Sequence, residues 1–262
     1  MYAESVLEKA KWLDPRDKVS QPIFDSVNIP FADLPHRVFE LPSRKESILV
    51  ANAGPEAQAT LDWLIENGYG AAVGRDFEMG GDRLKRLWSP NPFLESILPE
   101  ISRGSALDVA CGSGRDAVFM ASAGFQVTGI DHLPDAIAFA QTLSTRYLPP
   151  TESIRLIAAD LDETQFVERY DLVTCFFYLN RTFLRRLKDL INPGGSFVME
   201  TFTSVNRETH GKPRSEKFVL QPNELPGLLD GFEVLLYEED WHADRHTAQI
   251  WALRSGQDHR DC

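Results

Sequence analysis

From residue 106 onward, short apolar runs alternate with stretches of helical periodicity, and this alternation limits the possible folds more than any other feature of the chain. Ala106 to Ala110, Gln126 to Ile130, Ile154 to Ala158, Leu172 to Phe176, Ser196 to Thr201, Glu233 to Glu238 and Thr247 to Leu253 read as strands. Between them, Arg115 to Ala123, Pro134 to Ser144, Arg181 to Ile191 and Asn223 to Leu229 repeat apolar residues three and four apart, as amphipathic helices do. Parallel strands need crossovers of this kind, and helices on both faces bury the sheet. The expected fold class is therefore α/β, a doubly wound and mostly parallel seven-stranded sheet.

The N-terminal part reads as a smaller α/β unit. Val6, Leu7, Ala10 and Leu13 have helical spacing, so a helix is expected from Ser5 to Trp12, followed by a turn at Asp14-Pro15-Arg16-Asp17. Ile48 to Ala51 is a buried-strand candidate running into Asn52-Ala53-Gly54-Pro55. Ala57, Thr60, Leu61, Leu64 and Ile65 then mark a helix from Glu56 to Asn67, with Gly68 as its stop. Gly80-Gly81 and Ser89-Pro90-Asn91-Pro92 punctuate a connector. The expected organisation is a first domain over 1–75, a connector over 76–100 and a second domain over 101–262.

Composition narrows the function classes. The chain carries 27 basic and 39 acidic residues, net −12, which argues against a nucleic-acid partner because such binding rests on a basic surface. Cys111, Cys175 and Cys262 match neither a disulfide framework nor a metal site, so they read as reduced thiols with no metal to hold. The N-terminal segment has no apolar signal core, and no run approaches the roughly 18 apolar residues of a membrane span. A cytoplasmic location with no membrane partner is expected.

The residues that carry chemistry cluster at strand ends. Ala106-Leu107-Asp108-Val109-Ala110 runs into Cys111-Gly112-Ser113-Gly114 and then a helix, a geometry in which glycines admit a nucleotide to the backbone and the helix start presents free N–H groups. The next strand ends in Gly129-Ile130-Asp131, where an acid hydrogen-bonds a ribose diol in dinucleotide-type folds. Asp160 closes the following apolar run. An acid after a strand also serves as a helix cap, but three at successive strand ends beside a Gly loop describe a site at the carboxyl edge of a parallel sheet.

These residues resemble the class I S-adenosylmethionine-dependent methyltransferases over roughly residues 84–254. The matches are Leu107 to Asp116, Gly129-Ile130-Asp131, Ala159-Asp160-Leu161, Tyr170-Asp171-Leu172-Val173 and Asn192-Pro193-Gly194-Gly195. The resemblance implies a Rossmann-like fold, methyl transfer, and S-adenosyl-L-methionine as cofactor. It further implies that Asp131 takes the ribose hydroxyls, that Gly112 and Gly114 admit the cofactor, and that Asp108 lies near the methionine amino group. Asp160 and Leu161 would hold the adenine edge, with Ala110, His132 and Cys175 completing the cofactor-binding set. Ala110 stands where that family's loop has its first Gly.

Within the class, Gly112-Ser113-Gly114-Arg115-Asp116, Phe218 to Leu225 and the tail from Tyr237 toward His242 and Arg245 are similar to the tellurite-resistance methyltransferases. That likeness implies a small-molecule acceptor, a chalcogen oxyanion or a soft thiol-like nucleophile. Tyr178, Arg181, His242 and Arg245 are the expected catalytic residues, with Asn180, Thr201, Thr203, His210 and Arg214 as further candidates for the acceptor pocket. The alternatives are a macromolecular acceptor docked by the N-terminal domain, or a cofactor-binding sensor or scaffold without turnover.

The N-terminal domain resembles the rhodanese-like domains through Leu13 to Asp17, Val27-Asn28-Ile29-Pro30, Leu34-Pro35, Ile48-Leu49-Val50 with its following loop, and Gly68-Tyr69. That family's nucleophilic Cys is replaced here by Ala51, so the resemblance implies a degenerate domain without sulfurtransferase activity.

Overall fold

The computed structural model describes residues 11–75, 77–80, 86–150 and 154–256. The chain forms two compact units, Met1–Ser89 and Pro90–Cys262.

In the first unit, β1 (Lys11–Asp14), β2 (Ser26–Asn28), β3 (Ser47–Ala51) and β4 (Gly70–Gly74) form a parallel sheet in the order β2-β1-β3-β4. Helix α1 (Glu56–Glu66) crosses over between β3 and β4 and buries Ala57, Thr60 and Leu64. Leu13, Ile29, Leu34, Ile48 and Val50 fill the core around them. The expected helix from Ser5 to Trp12 is corrected at its end, because Lys11 and Trp12 are strand residues in register with Ile48 and Leu49. Pairing with a buried central strand outweighs the helical spacing of isolated apolar residues. Residues 5–10 lie outside the described residues.

The expected connector is divided between the two units. Leu87 belongs to the first unit's core, whereas Pro92–Ile97 forms helix α2 of the second. Asn91 starts α2 as its cap, its Oδ1 accepting from the Phe93 and Leu94 amides at 2.8 and 3.2 Å, and Pro92 occupies the first turn where no N–H is needed.

The second unit contains a seven-stranded sheet in the order β10-β11-β9-β8-β5-β6-β7. Its strands are β5 (Ser105–Val109), β6 (Gln126–Asp131), β7 (Arg155–Ala158), β8 (Tyr170–Phe176), β9 (Ile191–Phe202), β10 (Phe232–His242) and β11 (Arg245–Arg254). β11 is antiparallel to both β9 and β10, and the remaining pairs are parallel. Helices α3 (Arg115–Ser122) and α4 (Pro134–Tyr147) supply the crossovers after β5 and β6. The order reverses between β5 and β8, which opens a crevice at the carboxyl edge of the sheet.

Two helical expectations change. Arg181 to Ile191 is split into α5 (Arg181–Arg185) and α6 (Leu187–Leu190), with Arg186 at φ −98° and ψ −3° between them, and Ile191 already belongs to β9. The helix cannot run on, because the residue before Pro193 disfavours helical backbone. Phe183, Leu184, Leu187 and Leu190 are nevertheless buried, as their spacing predicts. In the last stretch only Glu224–Gly227 is helical, labelled α8 after α7 (Ser204–His210). Strand β9 also starts earlier than expected. Its register shifts between Tyr170 and Leu172, which absorbs the Asn192 to Gly195 turn as a bulge within the strand.

Candidate active site

β5 places Asp108 next to last in the strand, with only 2% of its surface exposed. Its Oδ1 accepts the Thr174 hydroxyl from neighbouring β8 at 2.9 Å, while Oδ2 is buried and has no hydrogen-bond partner among the described residues. Burial, reinforced by the charge of Asp116, holds the Asp108 carboxyl well above the ordinary carboxylate range. A cationic or N–H-bearing ligand at this oxygen would favour the ionised carboxylate that burial alone disfavours, so the site suits such a ligand.

The chain then makes its tight turn. Ala110 and Gly112 adopt φ +54° and Gly114 φ +79°, and only glycine takes such a backbone without cost. At Gly114 a side chain is also excluded by space, because a Cβ would meet the Ala140 Cβ at 2.7 Å. At Gly112 an added Cβ would meet nothing within 4 Å, so this side of the loop is open. Asp131 ends β6 opposite the loop. Its Oδ2 accepts the Gly112 amide and its Oδ1 the Leu133 amide, both at 2.9 Å, which fixes the carboxylate while leaving further lone pairs for a diol.

Asp108, Gly112, Gly114 and Asp131 therefore come together in one crevice. His132 is largely exposed, its Nδ1 3.4 Å from Asp131 Oδ1. Asp160 is exposed and accepts the Asp162 amide at 2.9 Å, whereas Leu161 turns into the core. Cys175, expected among the cofactor contacts, is placed in the core. Its side chain is sealed in the core of the second unit, its Sγ faces the Tyr178 carbonyl at 3.4 Å, and burial pushes its thiol up. Cys111 and Cys175 are both free thiols, and Cys262 lies outside the described residues.

Around the residues expected to line the acceptor pocket, β-sheet register assigns the faces. Paired residues of antiparallel strands share a face, and alternate residues along a strand return to it. Glu200, Phe202, Thr247, Arg245 and His242 therefore lie on one face, and Thr201, Thr203, His246 and Trp241 on the other. The contacts agree. Thr247 Oγ1 donates to Glu200 Oε1 at 2.8 Å and lies 2.7 Å from His242 Nδ1, while Thr203 Oγ1 lies 2.7 Å from His246 Nδ1. Trp241 packs edge-on against His210 and His246. Thr203 and His210 are thus placed away from the His242 face, and Thr201 is fully buried. Arg214 is exposed, with its carbonyl accepting from Arg207 Nε.

Arg181, expected as a catalytic residue, has its guanidinium engaged within the fold. It forms a two-point pair with Glu224 at 2.5 and 2.8 Å and donates to the carbonyls of Lys217 and Val219, both at 2.9 Å. This clasp joins α5 to the start of α8 and holds the Glu224 carboxyl below its usual range. Arg245 differs. Its guanidinium sits 5.1 Å above the ring of Phe177, which in turn packs against Phe202 at 5.2 Å. Tyr178 is half-buried, with its hydroxyl 3.4 Å from Asn180 Nδ2, and burial raises its phenol.

Sequence reasoning missed a connection between α3 and β9. Asn91 Nδ2 donates to Glu200 Oε2 at 2.8 Å, and the Asn91 backbone N–H donates to Asp116 Oδ1 at 2.6 Å. Burial raises the Asp116 carboxyl to about 6, with the charge of Glu200 adding to the shift. An acid buried within a strand, as Glu200 is, was the available signal, because such a group demands donors from elsewhere in the fold. Among the described residues, no group of three or more His, Cys, Asp or Glu side chains is arranged to hold a metal ion. None of their helices is long and apolar enough to cross a membrane.

Residues 106–195 match the family described as a methyltransferase domain. A probable S-adenosyl-L-methionine-dependent methyltransferase TehB of Haemophilus influenzae is 28% identical over 149 residues, covering 53% of this chain and 50% of that protein. A putative methyltransferase, YqeM of Bacillus subtilis, is 35% identical over 117 residues, covering 44% and 41%. The crystal structure of TehB from Haemophilus influenzae superposes with a TM-score of 0.52 at 22% identity over 62% of this chain and 61% of that one, a likeness of fold. The chain spans about half the length of the curated relatives it matches. Residues 106–195 of the second unit are therefore similar to a methyltransferase domain, and the unit shares sequence with proteins named as S-adenosyl-L-methionine-dependent methyltransferases.

Proposed function

We propose that the protein transfers a methyl group from S-adenosylmethionine to a small-molecule acceptor, a chalcogen oxyanion or a soft thiol-like nucleophile, at the carboxyl edge of the seven-stranded sheet. The observation that carries this reading is the Asp108 Oδ2 atom, buried without a donor beside an open Gly112 and an amide-fixed Asp131. A ligand with an ammonium group at one end and a ribose diol at the other satisfies both carboxylates. When bound, the cofactor supplies an electrophilic methyl on a sulfonium. The chain's residues then hold and orient the two reactants, and placement of this kind contributes roughly 7–11 kcal/mol to such displacements.

Arg245 over Phe177 supports an acceptor with anionic character, since no carboxylate ion pair or hydrogen bond of its side chain is found among the described residues. We read the first unit as a rhodanese-like fold that has lost its nucleophile. Its parallel β2-β1-β3-β4 sheet and Ala51 at the end of β3 support this.

The test is calorimetric titration with S-adenosylmethionine and S-adenosylhomocysteine, with NADH as control and Asp131→Ala alongside. The expected result is binding of both sulfur ligands, no binding of NADH, and affinity about tenfold or more weaker in the variant, equivalent to ~1.4 kcal/mol. Folded wild-type protein that binds neither sulfur ligand overturns the proposal.

A further inference from the structure

We propose that Glu200 and Thr247 are positioning residues that fix the tautomer of His242, leaving its Nε2 as the base for an acceptor that must lose a proton, a thiol or a hydroxyl. This rests on the methyltransferase reading above and selects among the acceptors it allows.

The argument starts from hydrogen-bond valence. Thr247 is fully buried, and its single hydroxyl proton is directed to Glu200 Oε1 at 2.8 Å. An ionised carboxylate only accepts. The Thr247 oxygen, 2.7 Å from His242 Nδ1, therefore has only lone pairs left to offer, and Nδ1 must be the nitrogen that carries hydrogen. In the neutral ring this leaves Nε2 with a bare lone pair, and Nε2 is buried with no hydrogen-bond partner among the described residues. Glu200 is fixed in turn, because Asn91 Nδ2 donates to its other oxygen at 2.8 Å. An acid, a hydroxyl and an imidazole are thus connected in line, with the far nitrogen making no hydrogen bond. The same logic activates nucleophiles elsewhere through a base oriented by a third group.

Each neighbour has a place in the cycle. Glu238, four residues earlier on β10, has its Oε2 3.5 Å from Nε2 and pairs with the ring once it is protonated. From β11, Arg245 is the register partner of His242, and Asp240 shares the face from β10 itself. The acceptor heteroatom forms a bond to the methyl carbon as the carbon–sulfur bond breaks, with its electron pair going to sulfur. The acceptor's proton passes to His242 Nε2, and the exposed Glu238 carboxylate, 3.5 Å away, carries it on to solvent. An oxyanion acceptor needs no such step, so the relay has a use only for a protic nucleophile.

The experiment is long-range proton–nitrogen NMR of the full-length protein labelled at histidine, with the His242 signals assigned by their loss in His242→Gln. Nδ1–H is expected in wild type and in Thr247→Ser, and a shift toward Nε2–H in Thr247→Val, which keeps the shape but not the oxygen. A wild-type ring protonated at Nε2, or a Thr247→Val spectrum identical to wild type, overturns the relay. The second arm follows S-adenosylhomocysteine release with 2-mercaptoethanol, catechol and tellurite as acceptors. With the protic acceptors, kcat at neutral pH falls about tenfold to a hundredfold in Thr247→Val and His242→Gln, is restored in Thr247→Ser, and recovers at high pH; cofactor affinity does not change. Turnover of tellurite alone, or an equal loss with all three acceptors, overturns the base assignment. Failure to bind the cofactor overturns the methyltransferase reading, while the tautomer measurement still decides the relay.

Discussion

Asn91 and Glu200, 109 residues apart in the chain, meet through a buried 2.8 Å hydrogen bond from the Asn91 side-chain amide to Glu200 Oε2. The same asparagine caps α2 with its Oδ1 and gives its backbone N–H to Asp116, so one residue ties the start of α2, helix α3 and strand β9 together. Removing it exposes several dependencies at once.

Asn91→Ala loses the cap and leaves Glu200 Oε2 without a donor, so it should destabilise the protein by about 2–4 kcal/mol in urea unfolding. Asn91→Asp retains a capping oxygen but sets a third carboxylate against Glu200 and Asp116. It should also destabilise near neutral pH and recover in acid. Wild-type stability in both variants would contradict this account.

Asp116 gives stability an inverted pH dependence. Burial raises its folded-state value from 3.8 to about 6, so the folded protein holds a proton that the unfolded chain has already released. Its contribution is fully present below pH 3.8 and declines as pH rises through about 6. Asp116→Asn keeps an acceptor for the Asn91 amide and removes the titration, so it should lessen the fall in stability measured between about pH 4 and about pH 7. Asp108, also raised, leaves a residual slope.

Arg181→Ala tests the clasp. The two-point pair with Glu224 is partly exposed, and its loss should cost about 1–2 kcal/mol of stability with cofactor affinity unchanged. Arg181→Lys should recover only part of this, because an ammonium cannot reproduce the planar fork. A variant that folds with wild-type stability but turns over no acceptor would instead restore Arg181 to the catalytic set.

Ala110→Gly should stabilise. The alanine sits at φ +54°, a conformation that costs an L-residue about 1–2 kcal/mol, against about 0.4–1 kcal/mol for the freer unfolded chain of a glycine. The expected net gain is up to about 1 kcal/mol in thermal or urea unfolding, with the cofactor loop intact. A loss of stability would show that the alanine methyl makes contacts that outweigh its backbone strain.

Legible in the amino-acid order were the alternation of strands and crossovers in the second unit, the Gly112 and Gly114 turn, and the acids at the ends of β5 and β6. These are local properties, because periodicity, positive-φ glycines and strand-end polarity are all written within a few residues of one another. Tertiary structure alone decided which polar groups meet. Arg181 and Glu224, Thr247 and His242, and Asn91 and Glu200 join segments that pattern treats as independent. It also interrupted the Arg181 to Ile191 helix at Arg186 and drew Lys11 and Trp12 into a strand beside β3. The reason is energetic. A buried donor or acceptor must find its partner wherever the sheet register brings one, and spacing along the chain carries no record of that register.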